Sequence, residues 1–460
     1  MGNRQCNKMN AVSLILLFIT LLLDIPCNIF AKKHLKLKQV HVLYRHGSRS
    51  PSHRYPNDLY DESTWPQGYG MLTQKGMKQQ YLLGQWLKDR YVDNFGFLNH
   101  TYIAKEIVIH STDTHRTVMS AQSNLAGLYP PNDAQVWNEE IPWQPIGIFT
   151  YPGDQDRVLT FHAPCLKRDR LMEEKSHPLY NKFIENNKEK IDYIIAHAGV
   201  DRNIKSLGQV ADALYFENED GRNLPPWTLT DVVGWDGTYY KWLMMLKDFQ
   251  YSAIYQNTST ELKKLLGGSL LGAMASHFRD VGMNVPSPKL YMYSAHDSSV
   301  SSLLSSLNSF NDRLPLPASC ILVELYHNVA ENSFTVDVLY RNETNRLVEL
   351  QIGPNGNKCD KHCPLEEFLK YVDSVTPHDF EKECKMHIHH AEPLEWNTGW
   401  LIFSVVFTMF LILAVTMCIL TIITACKGPV YKPRNRLQPI DFHLLGNGLS
   451  ESEDEAVFDA

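Results

Sequence analysis

A buried strand that ends in a cluster of charged residues is the sequence feature that most constrains the fold of this chain. Residues 39–44 are mainly β-branched and apolar and predict a strand buried on both faces. The strand runs directly into the motif Arg45-His46-Gly47-Ser48-Arg49. Because ligands of open α/β sheets collect at the carboxyl ends of strands, this motif predicts an α/β fold with a functional site at that edge.

The residue types in this motif favour phosphoryl chemistry. The guanidinium groups of Arg45 and Arg49 suit the oxygens of a tetrahedral phosphoryl group. The imidazole of His46, between them, is a side chain that can form a covalent intermediate. Gly47 is expected to let the backbone pass close to the bound group. Taken alone, the motif also fits a histidine and two arginines on a surface loop.

Two further predicted strands end in residues that can take part in catalysis. Residues 103–109 predict a strand that leads, through a short polar segment, to Arg116 at the start of a helix. Residues 289–294 predict another buried strand, which ends in His296 and Asp297. We therefore expect three strand ends, each followed by residues that can take part in catalysis, to meet at one edge of the sheet.

Strands that alternate with helices predict an α/β three-layer sandwich with a mostly parallel central sheet. Residues 164–278 are mostly helical in pattern and predict a helical cap inserted in the chain. Residues 321–326 and 334–340 alternate in hydrophobicity as an antiparallel pair does.

Two apolar segments predict a secreted or membrane-anchored protein. Residues 1–31 predict a signal peptide, because a charged start precedes an apolar run, at 11–23, that is short for a membrane span. Residues 400–425 carry no charge and predict a transmembrane helix, with boundaries at 397–426.

The flanks of this second segment predict its orientation. Lysine and arginine follow it, so the positive-inside rule predicts a cytoplasmic tail at 427–460 and a single-pass type I protein. Residues 32–396 would then be a lumenal or extracellular domain. Three sequons in that domain agree and predict glycosylation, at Asn99, Asn257 and Asn342. Lysosome, endosome and cell surface all stay open as locations.

The charge of the chain argues against nucleic acid as a partner. The formal net charge is −7, and the only basic tract flanks the span, which opposes nucleic-acid binding. A homodimer is one assembly open to this domain.

Five cysteines lie in the ectodomain, so in an oxidising compartment one is left over after pairing.

The motifs together resemble the histidine acid phosphatases of the membrane-anchored lysosomal and prostatic type, within the histidine phosphatase superfamily. The likeness covers nearly the whole ectodomain. It rests on these segments in this order: Tyr44-Arg45-His46-Gly47-Ser48-Arg49, Leu72-Thr73 with Gly76, Ser111-Thr112-Asp113, Arg116-Thr117-Val118-Met119-Ser120-Ala121, Tyr293-Ser294-Ala295-His296-Asp297 and Tyr340-Arg341-Asn342-Glu343-Thr344.

The resemblance implies an acid phosphatase that hydrolyses phosphate monoesters with no cofactor and no metal. The implied roles are His46 as the phosphorylated nucleophile, Asp297 as the general acid, and Arg45, Arg49, Arg116 and His296 as phosphate-binding residues. Cationic neighbours would disfavour the imidazolium form of His46 and stabilise the transferring phosphoryl group. A general acid at Asp297 favours an acidic optimum, because a free aspartate is protonated only well below neutrality.

The resemblance also implies disulfides between Cys165 and Cys384 and between Cys359 and Cys363. The expected partner of Cys320 is missing from residues 214–217, so Cys320 is expected to be a free, buried thiol. Two departures from the family pattern stand near Arg116: His110 replaces an arginine that is more usual there, and His115 replaces an aspartate.

Three alternative functions remain at this stage. The chain could be a more specialised ecto-phosphatase acting on lysophospholipids or nucleotide monophosphates, or a catalytically silent receptor ectodomain. A phosphoglycerate-mutase-like transferase shares the Arg-His-Gly motif, but it needs neither a secretory route nor the pair His296-Asp297.

Overall fold

The computed structural model describes residues 35–343, 346–353, 359–385 and 398–425. The first three ranges belong to one structural unit, and residues 398–425 belong to a second. The expected signal peptide, 1–31, and the expected tail, 427–460, lie outside the described residues.

The first unit is built on a single mixed sheet of eight strands. The strands are β1 (Leu35–Arg45), β2 (Ile107–Ser111), β3 (Phe149–Thr150), β4 (Leu290–Ala295), β5 (Cys320–Asn328), β6 (Ser333–Glu343), β7 (Arg346–Glu349) and β8 (Cys363–Pro364). Their order is β3-β2-β4-β1-β5-β6-β7, and β8 also pairs with β6. Strands β1 to β4 pair in parallel, whereas β5 to β8 pair antiparallel to their neighbours. The antiparallel pair predicted from the sequence is present as β5 and β6, within a larger antiparallel half.

Helices cover both faces of this sheet. The α-helices are α1 (Gln74–Lys88), α2 (His115–Leu128), α3 (Leu166–Asn186), α4 (Lys188–Ala198), α5 (Ile204–Glu219), α6 (Tyr239–Tyr255), α7 (Thr260–Lys263), α8 (Ser269–Gly282), α9 (Asp297–Ser306), α10 (Leu365–Val375), α11 (Phe380–Cys384) and α12 (Thr398–Ala425). One apolar core joins the sheet to α1 and α2, and another joins it to α8, α9 and α10. The predicted three-layer sandwich is confirmed.

Strand β1 lies inside the sheet because its side chains are apolar on both faces. Val42 and Tyr44 pack in the core under α1 and α2, whereas Leu43 packs on the opposite face under α8 and α9. Neighbours on both sides, β4 and β5, satisfy its backbone groups. Its carboxyl end is therefore fixed in position.

The helical cap has a core of its own. Residues from α4, α5 and α6 pack together in a separate apolar cluster, joined by Tyr55 from the loop after β1. Helix α8, in contrast, contributes Met274 and Phe278 to the core of the sandwich. The separate core of the cap therefore ends within α6, near Leu246, and Tyr251 and Tyr255 already belong to the core of the sandwich, whereas we expected the cap to extend to residue 278.

The second unit, α12, is long and apolar. Phe403–Ile422 has a mean hydropathy of 2.7, and length and composition make it a candidate membrane span. Its described side chains are exposed within the structure, as those of a lipid-facing helix would be.

Two disulfides lie in the first unit. Cys165–Cys384 joins the start of α3 to α11, with Cα atoms 4.6 Å apart, and Cys359–Cys363 closes a short loop. Cys320, on β5, is a buried free cysteine. This arrangement is the one that the family resemblance implied.

Two carboxyl groups meet where the loop after β1 packs on the cap. Glu217 of α5 is fully buried, and Asp58 of the loop is 8% exposed. Burial raises the pKa of Glu217, and the nearby Asp58 raises it further; burial also raises the pKa of Asp58. The pair therefore retains a proton to higher pH than isolated carboxyl groups would.

We expect this pair to make the folded protein more stable in acid. Because the pKa of Glu217 is raised in the folded state, its stabilising effect is complete below the ordinary value of 4.5 and is lost as the pH rises through the folded-state value. The variant Glu217→Gln keeps a hydrogen-bond donor but cannot titrate. Thermal unfolding at about pH 5 and about pH 8 should show a smaller difference in Tm for Glu217→Gln than for the wild type. An equal difference in both proteins would contradict this account.

Candidate active site

The carboxyl ends of β1, β2 and β4 meet at one edge of the sheet. In the parallel register Arg45 lies opposite Ala295, and Ser111 lies opposite Ser294. The residues that follow these strands are therefore brought together, and the ring centroids of His46 and His296 are 5.6 Å apart. The convergence that the sequence predicted is present in the structure.

His46 is held in one tautomer by its own loop. Its side chain is buried, and Nδ1 lies 2.7 Å from the carbonyl oxygen of Gly47. A carbonyl oxygen can only accept, so Nδ1 must carry the hydrogen and donate it. Nε2 of the neutral ring then carries the lone pair, and it is the atom able to attack an electrophile.

The surroundings of His46 keep the ring neutral. Burial lowers the pKa of His46 well below its ordinary value of 6.5, and the neighbouring cationic groups lower it further. In decreasing order of effect these neighbours are Arg116, Arg45, His296 and Arg49. The sequence predicted the influence of the cations, whereas burial, the larger cause, became visible only in the structure. A ring with this pKa remains a nucleophile in acid.

Gly47 is required by the packing of the loop. A Cβ atom on Gly47 would lie 2.3 Å from the carbonyl oxygen of Gly76, at the start of α1. A Cβ atom on Gly76 would in turn lie 2.1 Å from the carbonyl oxygen of Ser48. The two glycines let backbone pack on backbone, a reason different from the approach of a ligand that we expected.

Arg45 connects the nucleophile loop to Asp297. Its Nη1 donates to the carbonyl oxygen of Pro315 at 2.6 Å, and its Nη2 lies 2.6 Å from Oδ2 of Asp297. Both side chains are buried, so this pair is little screened by solvent. The Nε atom of Arg45 has no hydrogen-bond partner among the described residues.

Arg49 is held by the cap. Its two terminal nitrogens donate to the two oxygens of Asp212, on α5, at 3.1 and 3.3 Å. Lys247, on α6, donates to the same carboxylate at 2.7 Å. Burial alone would raise the pKa of Asp212, but Arg49 and Lys247 outweigh it and lower this pKa to about 2. Removing one member of such a buried ion network costs about 3–5 kcal/mol, so Asp212 ties the cap firmly to the loop after β1.

Arg116 and His296 contact each other beside His46. Arg116 stands on the first turn of α2, and its Nη2 lies 3.5 Å from Nδ1 of His296. On the other side of the ring, Nε2 lies 3.0 Å from Oγ1 of Thr112. Thr112 therefore fixes the orientation of His296.

Asp297 is bound at both of its oxygens. Oδ1 accepts from the hydroxyl of Tyr251, on α6, at 2.7 Å and from the backbone nitrogen of Ser298 at 2.7 Å. Oδ2 contacts Arg45. Asp297 is thus the first residue of α9. Its Oδ1 is held by two donors, and its Oδ2 faces Arg45, a candidate for binding phosphate.

Four residues of this arrangement were missed by the sequence reasoning: Thr112, Asp212, Lys247 and Tyr251. Thr112 lies inside a motif that carried the resemblance, so its position was a usable signal. Asp212, Lys247 and Tyr251 lie within helical patterns of the cap, where nothing in the sequence tells which strand end they face. Of the two departures from the family pattern, His110 stacks on Tyr293 and Tyr151, and His115 is exposed.

One cluster in the described part of the chain has the composition of a metal site. It consists of Cys359, Cys363 and Glu367. The two sulfur atoms are joined in a disulfide, so they are not available as thiolate ligands.

Comparisons with known proteins agree with the class of enzyme that this site defines. A model of the histidine phosphatase superfamily (branch 2) matches residues 36–350. The chain belongs to this family. Lysosomal acid phosphatase of Homo sapiens is 38% identical over 356 residues, which cover 76% of this chain and 80% of that protein. Prostatic acid phosphatase of Bos taurus is 35% identical over 381 residues, covering 82% of this chain and 94% of that protein.

A solved structure shares the fold. Hafnia alvei phytase in complex with myo-inositol hexakis sulphate superposes with a TM-score of 0.58, over 77% of this chain and 99% of that chain. Its sequence identity is 16%, so this likeness concerns the fold alone. Family membership, fold and curated relatives together make the chain a phosphatase of the histidine acid phosphatase type.

Proposed function

We propose that this protein hydrolyses phosphate monoesters through a covalent phosphohistidine formed on Nε2 of His46. The observation that carries the proposal is the hydrogen bond from Nδ1 of His46 to Gly47, which leaves Nε2 as the nucleophilic atom within a ring of cationic groups. The convergence of all six expected residues supports catalysis over a silent receptor ectodomain.

In the first half-reaction the phosphoryl oxygens bind to Arg45, Arg49, Arg116 and His296. Nε of Arg45 is suited to this contact, because it has no other partner among the described residues. Nε2 of His46 attacks phosphorus, the bond from phosphorus to the ester oxygen breaks, and Asp297 gives its proton to the departing oxygen. The products are an alcohol and the phosphorylated enzyme.

In the second half-reaction Asp297 acts as a base. Its carboxylate takes a proton from water, the water oxygen attacks phosphorus, and the bond from phosphorus to Nε2 breaks. Inorganic phosphate leaves, and both residues return to their starting states. The proposal uses no metal or cofactor, because the arginines supply the positive charge that stabilises the transferring group.

An acidic optimum follows from the two protonation states that the reaction needs. Asp297 must enter the first half-reaction with a proton, whereas His46 must be neutral. The lowered pKa of His46 keeps the second condition satisfied in acid. Low pH therefore promotes the general acid without disabling the nucleophile.

Substitution of the two proposed catalytic residues should separate their roles. We expect His46→Ala to abolish turnover of every substrate, because no neighbouring side chain replaces the attacking nitrogen. We expect Asp297→Asn to slow an alkyl phosphate by about a thousandfold and a nitrophenyl phosphate much less, because nitrophenolate needs little protonation to leave. Steady-state kinetics at acidic pH measures both effects.

The matched control is His100→Ala, which removes an exposed imidazole that makes none of the contacts described for the site and should retain full activity. Equal losses for the two substrates in Asp297→Asn, or turnover in His46→Ala near that of the wild type, would mean that the roles are wrongly assigned.

The lysosomal relatives and the apolar helix α12 are consistent with a lysosomal membrane protein. We infer further a type I orientation, with the catalytic unit in the lumen or outside the cell and the tail in the cytosol. The basic residues after α12 support this orientation. Exposed positions of Asn99 and Asn257 are compatible with glycans, and Asn342 is half-buried.

Protease added to sealed vesicles should remove only the tail, because the lumenal unit is shielded by the membrane. Treatment with an endoglycosidase should lower the apparent mass. The variant Thr101→Ala keeps Asn99 but destroys its sequon, so it should lose one glycan. A protected tail together with a digested catalytic unit would contradict the orientation.

The small-molecule substrates are phosphomonoesters. As a further partner, we infer a second copy of the chain, so that the protein forms a homodimer. Strand β3, Phe149–Thr150, stands at the edge of the sheet with both residues exposed. Trp137 and Tyr151 are also more than half exposed. An unpaired edge strand with apolar neighbours is suited to pairing with a second copy.

Sedimentation of the ectodomain should therefore report a dimer. Phe149→Glu should give a monomer, because it places a charge at the proposed contact. Leu229→Glu, at an equally exposed position on the cap, should remain dimeric. A monomeric wild type at micromolar concentration would overturn the inference.

A further inference from the structure

One turn of the cap helix α6 contacts several parts of the site. Lys247 binds Asp212, the partner of Arg49. Asp248 accepts from the backbone nitrogen of Leu314, beside the residue whose carbonyl holds Arg45. Tyr251, four residues after Lys247 and so on the same face of the helix, reaches Asp297 directly. Among these contacts only that of Tyr251 involves a residue with a proposed proton-transfer role.

The two oxygens of Asp297 differ in what they can do. Oδ1 accepts two hydrogen bonds, from the Tyr251 hydroxyl and the Ser298 backbone, each at 2.7 Å. A proton on Oδ1 would face these two donors and displace at least one of them. Oδ2, in contrast, faces one donor, Nη2 of Arg45 at 2.6 Å, and a bound phosphoryl group would compete with Oδ2 for this guanidinium. The proton needed for catalysis is therefore better placed on Oδ2 than on Oδ1.

We propose that Tyr251 is a positioning residue, which fixes the carboxyl group of Asp297 and directs its proton to Oδ2. The inference rests on the proposed role of Asp297 as general acid. In the step concerned, the proton moves from Oδ2 to the ester oxygen as the phosphorus–oxygen bond breaks and the phosphorus–Nε2 bond forms. Tyr251 keeps its own proton throughout and gains or loses no covalent bond.

The surroundings of Tyr251 support this passive role. Its side chain is buried against the site, and burial together with the charge of Asp297 raises the pKa of Tyr251 well above its ordinary value of 10.0. The phenol therefore stays neutral across the working range and remains a donor.

The variant Tyr251→Phe tests the proposal, because it removes the donor and keeps the ring. For an alkyl phosphate such as glycerol 2-phosphate we expect kcat to fall about tenfold, the size expected for one buried hydrogen bond to a charged group, with KM nearly unchanged. For 4-nitrophenyl phosphate the fall should be clearly smaller.

Tyr255→Phe is the matched control. Tyr255 lies one turn further along α6 and packs its ring against that of Tyr251, and its hydroxyl oxygen has no hydrogen-bond partner among the residues described. This variant should leave both substrates and the pH profile unchanged. Thermal unfolding of the two variants verifies that both are folded.

Combining Tyr251→Phe with Asp297→Asn separates this inference from the proposed function. If Tyr251 acts through Asp297, it should change nothing further when Asp297 is already replaced. Selective loss in Asp297→Asn without selective loss in Tyr251→Phe would overturn the role of Tyr251 alone. Equal loss for both substrates in Asp297→Asn would overturn the general acid itself, and the inference with it.

Discussion

The other features of the site depend on buried cationic side chains that surround the neutral imidazole of His46. Four cationic side chains, Arg45, Arg49, Arg116 and Lys247, are buried there, and Asp212 and Asp297 pair with three of them: Arg49, Lys247 and Arg45. Positive charge held out of water is costly without an anionic group beside it, so this concentration of buried cations makes the site complementary to phosphate. It also keeps His46 deprotonated and therefore nucleophilic.

The division of the molecule into sandwich and cap distributes these groups between two elements. The sandwich provides the proposed nucleophile, the arginines proposed to bind phosphate, and Asp297, at three strand ends. The cap provides Asp212, Lys247 and Tyr251, which contact those residues from the other side. A movement of α5 or α6 would therefore alter both Arg49 and Asp297. The cap in this protein therefore contacts and holds two of the proposed site residues, Arg49 and Asp297.

Features that depend on neighbouring residues could be predicted from the sequence, whereas contacts between residues distant in sequence could not. β1 and β4 were predictable because a run of apolar residues followed by polar ones is a local signal, and parallel strand ends meet at one edge. The contacts of Lys247 and Tyr251 were not, because amphipathic helices show which stripe is apolar but not which surface it meets. The same ambiguity misplaced the end of the cap: α8 has the pattern of a cap helix and packs on the sheet. Gly47 was recognised as necessary, but its packing against Gly76 was not foreseen, because Gly76 is distant in sequence.

The most direct test of the central claim is to trap the phosphorylated enzyme in acid and identify the phosphorylated atom. Rapid quenching with a nitrophenyl phosphate, followed by peptide mapping and phosphorus NMR, gives both the residue and the ring nitrogen. The account predicts one phosphoryl group, on Nε2 of His46, because Nδ1 is engaged with Gly47. Phosphate on Nδ1, on another residue, or no covalent intermediate during turnover would contradict it.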